Sequence, residues 1–288
     1  MREFQIAGGS IPGRDHMGRG DLLLGKNNQD SFLWAHDDSS LVAIVSDGCG
    51  GAPYSEVGSR IGSRLLVNAI RSLDFILAKA EDQTQAEAAA ATILKRAGDE
   101  VRAQIRTLAS QLAGDNQNWF EAVKDYFLFT VLGALITDAW TTVFALGDGI
   151  VVLNSEVTEL GPFPGNKPPY LAYGIADQSQ GQLAVLRTIP TASLESLLLG
   201  TDGAQDLNRL ADRALPGQQE LVGPISQFWT EDKYFTNSDA VRRRLSLANR
   251  EVKAVDKLTR QLKTDYGLLR DDTTVVAVRR VKAGKEAE

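Results

Sequence analysis

Short apolar runs that stop or start on an aspartate recur along this chain, and they constrain its fold more than any other feature. "SLVAIVSD" (40–47) ends on Asp47, "AWTTVFALGD" (139–148) on Asp148 and "SLLLGTD" (196–202) on Asp202. Asp30 in "NNQDSF" and the pair Asp271–Asp272 in "RDDTTVVAV" stand just ahead of such runs, and Asp206 follows Asp202 by one helical turn in "TDGAQD". With "LFTVLGALITD" (128–138), "GIVVLN" (149–154) and "TTVVAVRRV" (273–281), these branched segments bounded by turn residues read as strands. The "TD" junction at 137–138 predicts a hairpin, and "GDG" at 147–149 predicts a second hairpin turn between the runs that it joins.

Helical spacing appears between the strands. Val57, Ile61, Leu65, Ala69, Leu73 and Ile76 form one apolar stripe and predict a helix from Ser55 to Lys79. An alanine-rich helix is expected over Gln83–Leu112, inside a helical segment at about 80–125 that serves for packing, and a third over Ser238–Lys263. "GPFPGNKPPYLAYGIADQSQGQ" (161–182), with four prolines and four glycines, reads as a long ordered flap. Hairpin strands with helices grouped between them indicate an α+β chain, one domain over 1–288 with a frayed tail at 282–288.

A net charge of −6 argues against nucleic acid as a partner. No apolar run reaches the ~20 residues that a membrane span requires. The N-terminal stretch lacks the apolar core of a signal peptide, and with Cys49 alone no internal disulfide forms, so a cytoplasmic location is expected. His16 and His36 are the two histidines, which leaves any metal to oxygen ligands.

A single aspartate of this kind is a turn or cap residue. Five or six of them in one place would repel one another and raise their own pKa values. Divalent cations relieve that cost, and carboxylate, carbonyl and water ligands suit Mg²⁺ or Mn²⁺. Two such ions about 3.5–4 Å apart activate water against a phosphoryl group.

The motifs resemble, in order, those of the metal-dependent PPM-type (type 2C) protein serine/threonine phosphatases. "NNQDSF" resembles that family's "NED" element, and "VSDGCGGAPYSEVGS" its "DGxGG…GExAS" element with Glu56 and Ser59. "FALGDGIVVL", "LLLGTDGAQD" and "RDDTTVVAV" resemble "xxGDSRxYL", "LxSDGLxD" and "xDNxTVxxV". The resemblance implies a four-layer αββα sandwich in which two central antiparallel β-sheets are flanked by helices. It implies two Mn²⁺ or Mg²⁺ ions bridged by Asp47, with the Gly48 carbonyl on one and Asp202 and Asp271 on the other. Asp30 would hold water beside them, and Asp148 and Asp206 would form a third metal position. A phosphorylated protein substrate (on serine or threonine), a cognate kinase and a monomeric state are the implied partners and assembly.

Departures from the pattern are local. Gly25 stands where the family carries a phosphate-binding arginine, Gln29 replaces the motif glutamate, Cys49 a histidine of some members, and Asp272 the usual asparagine. A bacterial subgroup has "QD" with an upstream histidine in a "GxxH" context, which "PGRDHMG" (12–18) resembles. His16 and Lys26 are therefore the candidates to contact the phosphate, ahead of Arg14 and Arg19, because a cation is needed there. Cys49 is a bystander, since the adjacent Asp47 would disfavour a thiolate. Three functions remain open at this point: a phosphoprotein phosphatase, a catalytically weakened module that binds a phosphoprotein or metal, and a phosphatase for a small metabolite.

Overall fold

The structure, a computed structural model, describes residues 3–17, 26–114, 118–255 and 260–281. One antiparallel sheet has the order β1-β12-β9-β6-β7 and the other β2-β3-β4-β5-β8. The strands of the first are β1 (Phe4–Ile11), β6 (Gly149–Leu153), β7 (Glu156–Leu160), β9 (Ser196–Gly200) and β12 (Thr273–Arg280). Those of the second are β2 (Ser31–His36), β3 (Ser40–Ser46), β4 (Val131–Thr137), β5 (Trp140–Leu146) and β8 (Ala184–Pro190), while β10 (Val252–Val255) and β11 (Leu262–Asp265) make a separate ribbon.

The central strands are apolar without alternation because both of their faces are covered. From β3, Leu41, Ala43 and Val45 point to the layer between the sheets and meet Val151, Leu199 and Val276 of the other sheet. Val42 and Ile44 point outward, under α1 (Ser55–Arg71), α2 (Asp74–Ala78), α3 (Gln83–Ala113) and α4 (Trp119–Tyr126). The short α5 (Tyr173–Ala176) lies in the flap. The far face of the first sheet is covered by α6 (Asp202–Arg209), α7 (Gln227–Thr230), α8 (Lys233–Thr236) and α9 (Ala240–Asn249). The layers are thus αββα, as expected.

Four local expectations are corrected. The 137–138 hairpin forms between β4 and β5, but "GDG" is no hairpin, because β5 and β6 belong to different sheets. Gly147 and Gly149, at φ +105° and +136°, carry the chain from one sheet to the other at Asp148, a path open to residues without a Cβ. The Ser55–Lys79 helix breaks at Ser72 and Leu73. Its buried face near the start is Gly58, Ser59, Gly62 and Ser63 rather than the Val57–Ile61–Leu65 stripe; a Cβ on Gly62 would meet the Phe129 ring at 2.1 Å, so small residues allow this close approach. The third helix stops at Asn249, where the chain turns into the ribbon. The alanine-rich helix forms as read, with Ala86, Ala90, Ala97 and Ala109 fully buried. The tail expected at 282–288 lies outside the described residues.

The register gathers the aspartates. Ser31 of β2 pairs with Ser46 of β3, so Asp30 and Asp47 leave the second sheet side by side. Gly200 of β9 lies between Ile150 of β6 and Val275 of β12, so Asp148, Asp202 and Asp271 emerge together from the first. Gly149→Ala should therefore be costly, since its Cβ would meet the Gly200 carbonyl at 2.5 Å. We expect a loss of about 2 kcal/mol or more in urea unfolding. Gly165→Ala, also at positive φ but in open space, should cost about 1 kcal/mol.

Candidate active site

Asp30, Asp47, Asp148, Asp202 and Asp271 act on one another electrostatically across the facing sheet ends. Asp47 is pushed well above the ordinary carboxylate range by loss of hydration, then by Asp30, Asp202, Asp271 and Asp148. Asp202, at the start of α6, is pushed up to about 7 by burial and next by Asp271 and Asp148. Burial is the first cause of the upward shifts of Asp30, Asp148 and Asp271 as well. Asp206, half-exposed one turn along α6, adds to the upward shift of Asp202 and pairs with Arg209 at 3.3 Å.

Threonines hold the crowded carboxylates. Thr201 donates its hydroxyl to Asp30 Oδ2 at 2.7 Å and accepts the Thr274 amide, which ties the two sheets together beneath the site. Thr130 Oγ1 accepts the Asp47 amide at 3.2 Å. At Gly48 a Cβ would meet both Gln29 O and Ser55 Oγ at 2.8 Å, so only glycine follows Asp47 here. Gln205 donates to the carbonyls of Gly149 and Leu160, pinning the crossover that carries Asp148.

The two departures Gln29 and Asp272 have structural reasons. Gln29 is buried and donates Nε2 to Ala52 O and Ser55 Oγ, which an ionised glutamate could not do. Asp272, fully buried, accepts Gly13 N (2.7 Å) and His16 Nδ1 (2.8 Å) on one oxygen and Gln29 N (2.6 Å) on the other. It is a clamp, although ligand atoms of His16, Asp271 and Asp272 lie within 4.8 Å of one another. These roles had no signal in the sequence beyond the substitutions themselves, and Thr201 and Thr130 had none.

The phosphate-contact candidates separate. His16 turns Nε2 towards Asp271 Oδ1 at 3.9 Å, and its hydrogen bond to Asp272 raises its pKa. Lys26 Nζ donates to Gly50 O at 2.5 Å, lying over the glycine turn. Arg14 donates to Gly267 O instead, and Arg19 and Gly25 lie outside the described residues. His36 is exposed at the end of β2. Cys49 is partly buried against the hydroxyl of Tyr170 from the flap, which is itself anchored by Arg102 of α3 through Gly181 O.

Divalent cations fit this donor set. Among the described residues, Asp30 Oδ1 and Asp148 Oδ1 are buried without a hydrogen-bond partner, and the carboxylates that crowd Asp47 and Asp202 include no lysine or arginine among the chief influences on either. A family model described as protein phosphatase 2C matches residues 17–251. The chain belongs to the protein phosphatase 2C family. That family is one of metal-dependent serine/threonine phosphatases. Among solved structures, the chain is similar to PppA, a regulatory component of T6SS in Pseudomonas aeruginosa, at 18% identity over 96% of this chain and 98% of that one, TM-score 0.45. It is similar to the catalytic domain of PstP in complex with manganese at 15% identity, over 97% and 99% of the two chains, TM-score 0.46. RsbX in complex with magnesium is 14% identical over 96% of each, TM-score 0.43. No curated protein matches by sequence. Membership rests on the family match.

The raised carboxyls set a pH dependence. A carboxyl with a higher pKa folded than unfolded takes up a proton on folding, so its contribution favours the fold below its ordinary value and is lost as pH rises. For Asp202 that window runs from 3.8 to about 7. In chelator, Tm should fall as pH rises through it, and Asp202→Asn should flatten the slope. Mn²⁺ added above the window should restore Tm. A metal-free Tm that holds level through this range would mean that the carboxylates are not crowded in solution.

Proposed function

We propose that the protein hydrolyses phosphoserine and phosphothreonine on proteins, using water activated by two Mn²⁺ or Mg²⁺ ions. The observation that carries this reading is the gathering of five carboxylates at the ends of both sheets, two of them with buried oxygens left unpartnered. Asp47, the Gly48 carbonyl, Asp202 and Asp271 would hold the two ions, with Asp148 and Asp206 at a weaker third position. Bound there, the cations would supply a nucleophile near neutral pH and offset charge on the phosphoryl oxygens.

The chain's own groups do the rest. Asp30, fixed through Oδ2 by Thr201, keeps Oδ1 to accept a hydrogen from the attacking water and orient it. His16, held by Asp272, donates Nε2 to the phosphoryl group, and Lys26 leaves Gly50 O to supply a second cation. The water oxygen bonds to phosphorus as the bond to the seryl or threonyl oxygen breaks. The water gives up one proton to solvent and the leaving oxygen takes one from solvent, so the products are the free hydroxyl and inorganic phosphate. Retention of Asp47, Asp202 and Asp271 favours the enzyme over a binding-only module, which has no use for all three. On this reading the chain is one domain, with the flap held to α3 by the Arg102–Gly181 hydrogen bond.

With a phosphoserine peptide, phosphate release should require Mn²⁺, stop in chelator, and fall at least about 100-fold in Asp202→Asn. Absence of metal-dependent release would overturn the reading. On p-nitrophenyl phosphate, His16→Ala should lower kcat/KM about tenfold or more, as expected for loss of a hydrogen bond to a charged group. Unchanged turnover would remove His16 and leave Lys26 to be tested in the same way.

A further inference from the structure

Beside the carboxylate site lies a cavity of about 510 Å³ whose wall includes Pro12, Met17, Tyr266, Arg14, Arg242 and Arg250. Its size falls in the range of specific binding pockets, and its lining joins apolar surface to a few charged groups, as such pockets do. The segment that forms one wall continues into the active site. Arg14 N and Asp15 N pair with the carbonyls of Leu269 and Arg270, and His16 follows on this segment, between Asp15 and Met17. Buried Asn249 ties the walls together, donating to Pro12 O and accepting Leu269 N.

Among the described residues the cavity wall carries three arginines, Arg14, Arg242 and Arg250, against one carboxylate, Glu251, in a protein of net charge −6. Arg250 is oriented by the Pro216 carbonyl, which leaves its positive charge in place, while Arg14, held by Gly267 O, also pairs with Asp15 at 3.4 Å. Arg242 is paired with Asp239, and Glu251, also on the wall, with Lys253. Met17 and Tyr266 are 43% and 47% exposed, so apolar surface is presented beside the guanidinium groups.

We propose that this cavity docks the substrate's own chain, taking an apolar residue next to an Asp or Glu within a few positions of the phosphorylated residue. The proposal rests on the phosphatase reading. Occupancy positions the phosphoryl group because the wall and His16 belong to one segment, so the cavity selects among phosphoproteins and does not act in the chemical step.

Two phosphoserine peptides test this, one with a Leu-Glu pair on either side of the phosphoserine and one with Ser-Gly in those places. Turnover is measured with Mn²⁺, and binding by calorimetry in chelator. The acidic, apolar peptide should have a KM about tenfold lower at similar kcat. Arg250→Glu and Tyr266→Ala should each abolish that difference while p-nitrophenyl phosphate turnover stays unchanged. Equal binding of the two peptides, or a preference that survives both variants, would overturn the docking site whatever the turnover. A binding preference lost in both variants, with no turnover of either peptide, would uphold the docking site and overturn the phosphatase reading instead.

Discussion

Carboxylates gathered in a poorly hydrated cleft repel one another, and the rest of this structure is arranged to keep them there. Asp47 and Asp202 lie among other aspartates, an arrangement that opposes folding until cations or protons intervene. The opposing contribution comes from the four-layer core. Strands such as β3 bury alternate residues in two different apolar layers, and each fully buried branched side chain contributes about 1.5–3 kcal/mol. A core of that extent tolerates a strained electrostatic site at its edge.

The ties around the site divide the work among neighbouring residues. Asp271 and Asp272 are adjacent, yet Asp272 is saturated by three donors while Asp271 lies half-exposed at the mouth of the cluster. One carboxylate therefore holds the loop that carries His16, while the other accepts the Asp272 amide and belongs to the group around Asp47. Thr201 plays a similar part between the sheets: by bonding both Asp30 and the Thr274 amide, it ties the two sheet ends together beside the Asp272–Gln29 bond. The loop clamped by Asp272 also forms a wall of the arginine-bearing cavity, so the site and the neighbouring face are mechanically continuous.

Much of this was legible in the residues. The apolar runs and their terminal aspartates marked the central strands and the site, because a strand covered on both faces must be apolar throughout and an aspartate stops it. Helix ends were less legible. The stripe through Val57 and Ile61 suggested a face for α1, but packing chose the adjacent glycines and serines because the segment 126–129 ahead of β4 comes too close for larger side chains. The arginine-rich helix was overrun because the chain beyond Asn249 has helical spacing in sequence and a strand partner in space.

The sequence by itself determined the composition of the site: which aspartates end strands, that oxygen ligands would serve any metal, and which family the ordered motifs resemble. Only the tertiary structure decided that "GDG" passes between sheets, that Asp206 stays at the rim, and that Asp272 serves as a clamp. The physical reason is that register and sheet assignment depend on contacts between residues far apart in the chain, such as Asp30 with Thr201 and Gly13 with Asp272. Local spacing has no access to such contacts.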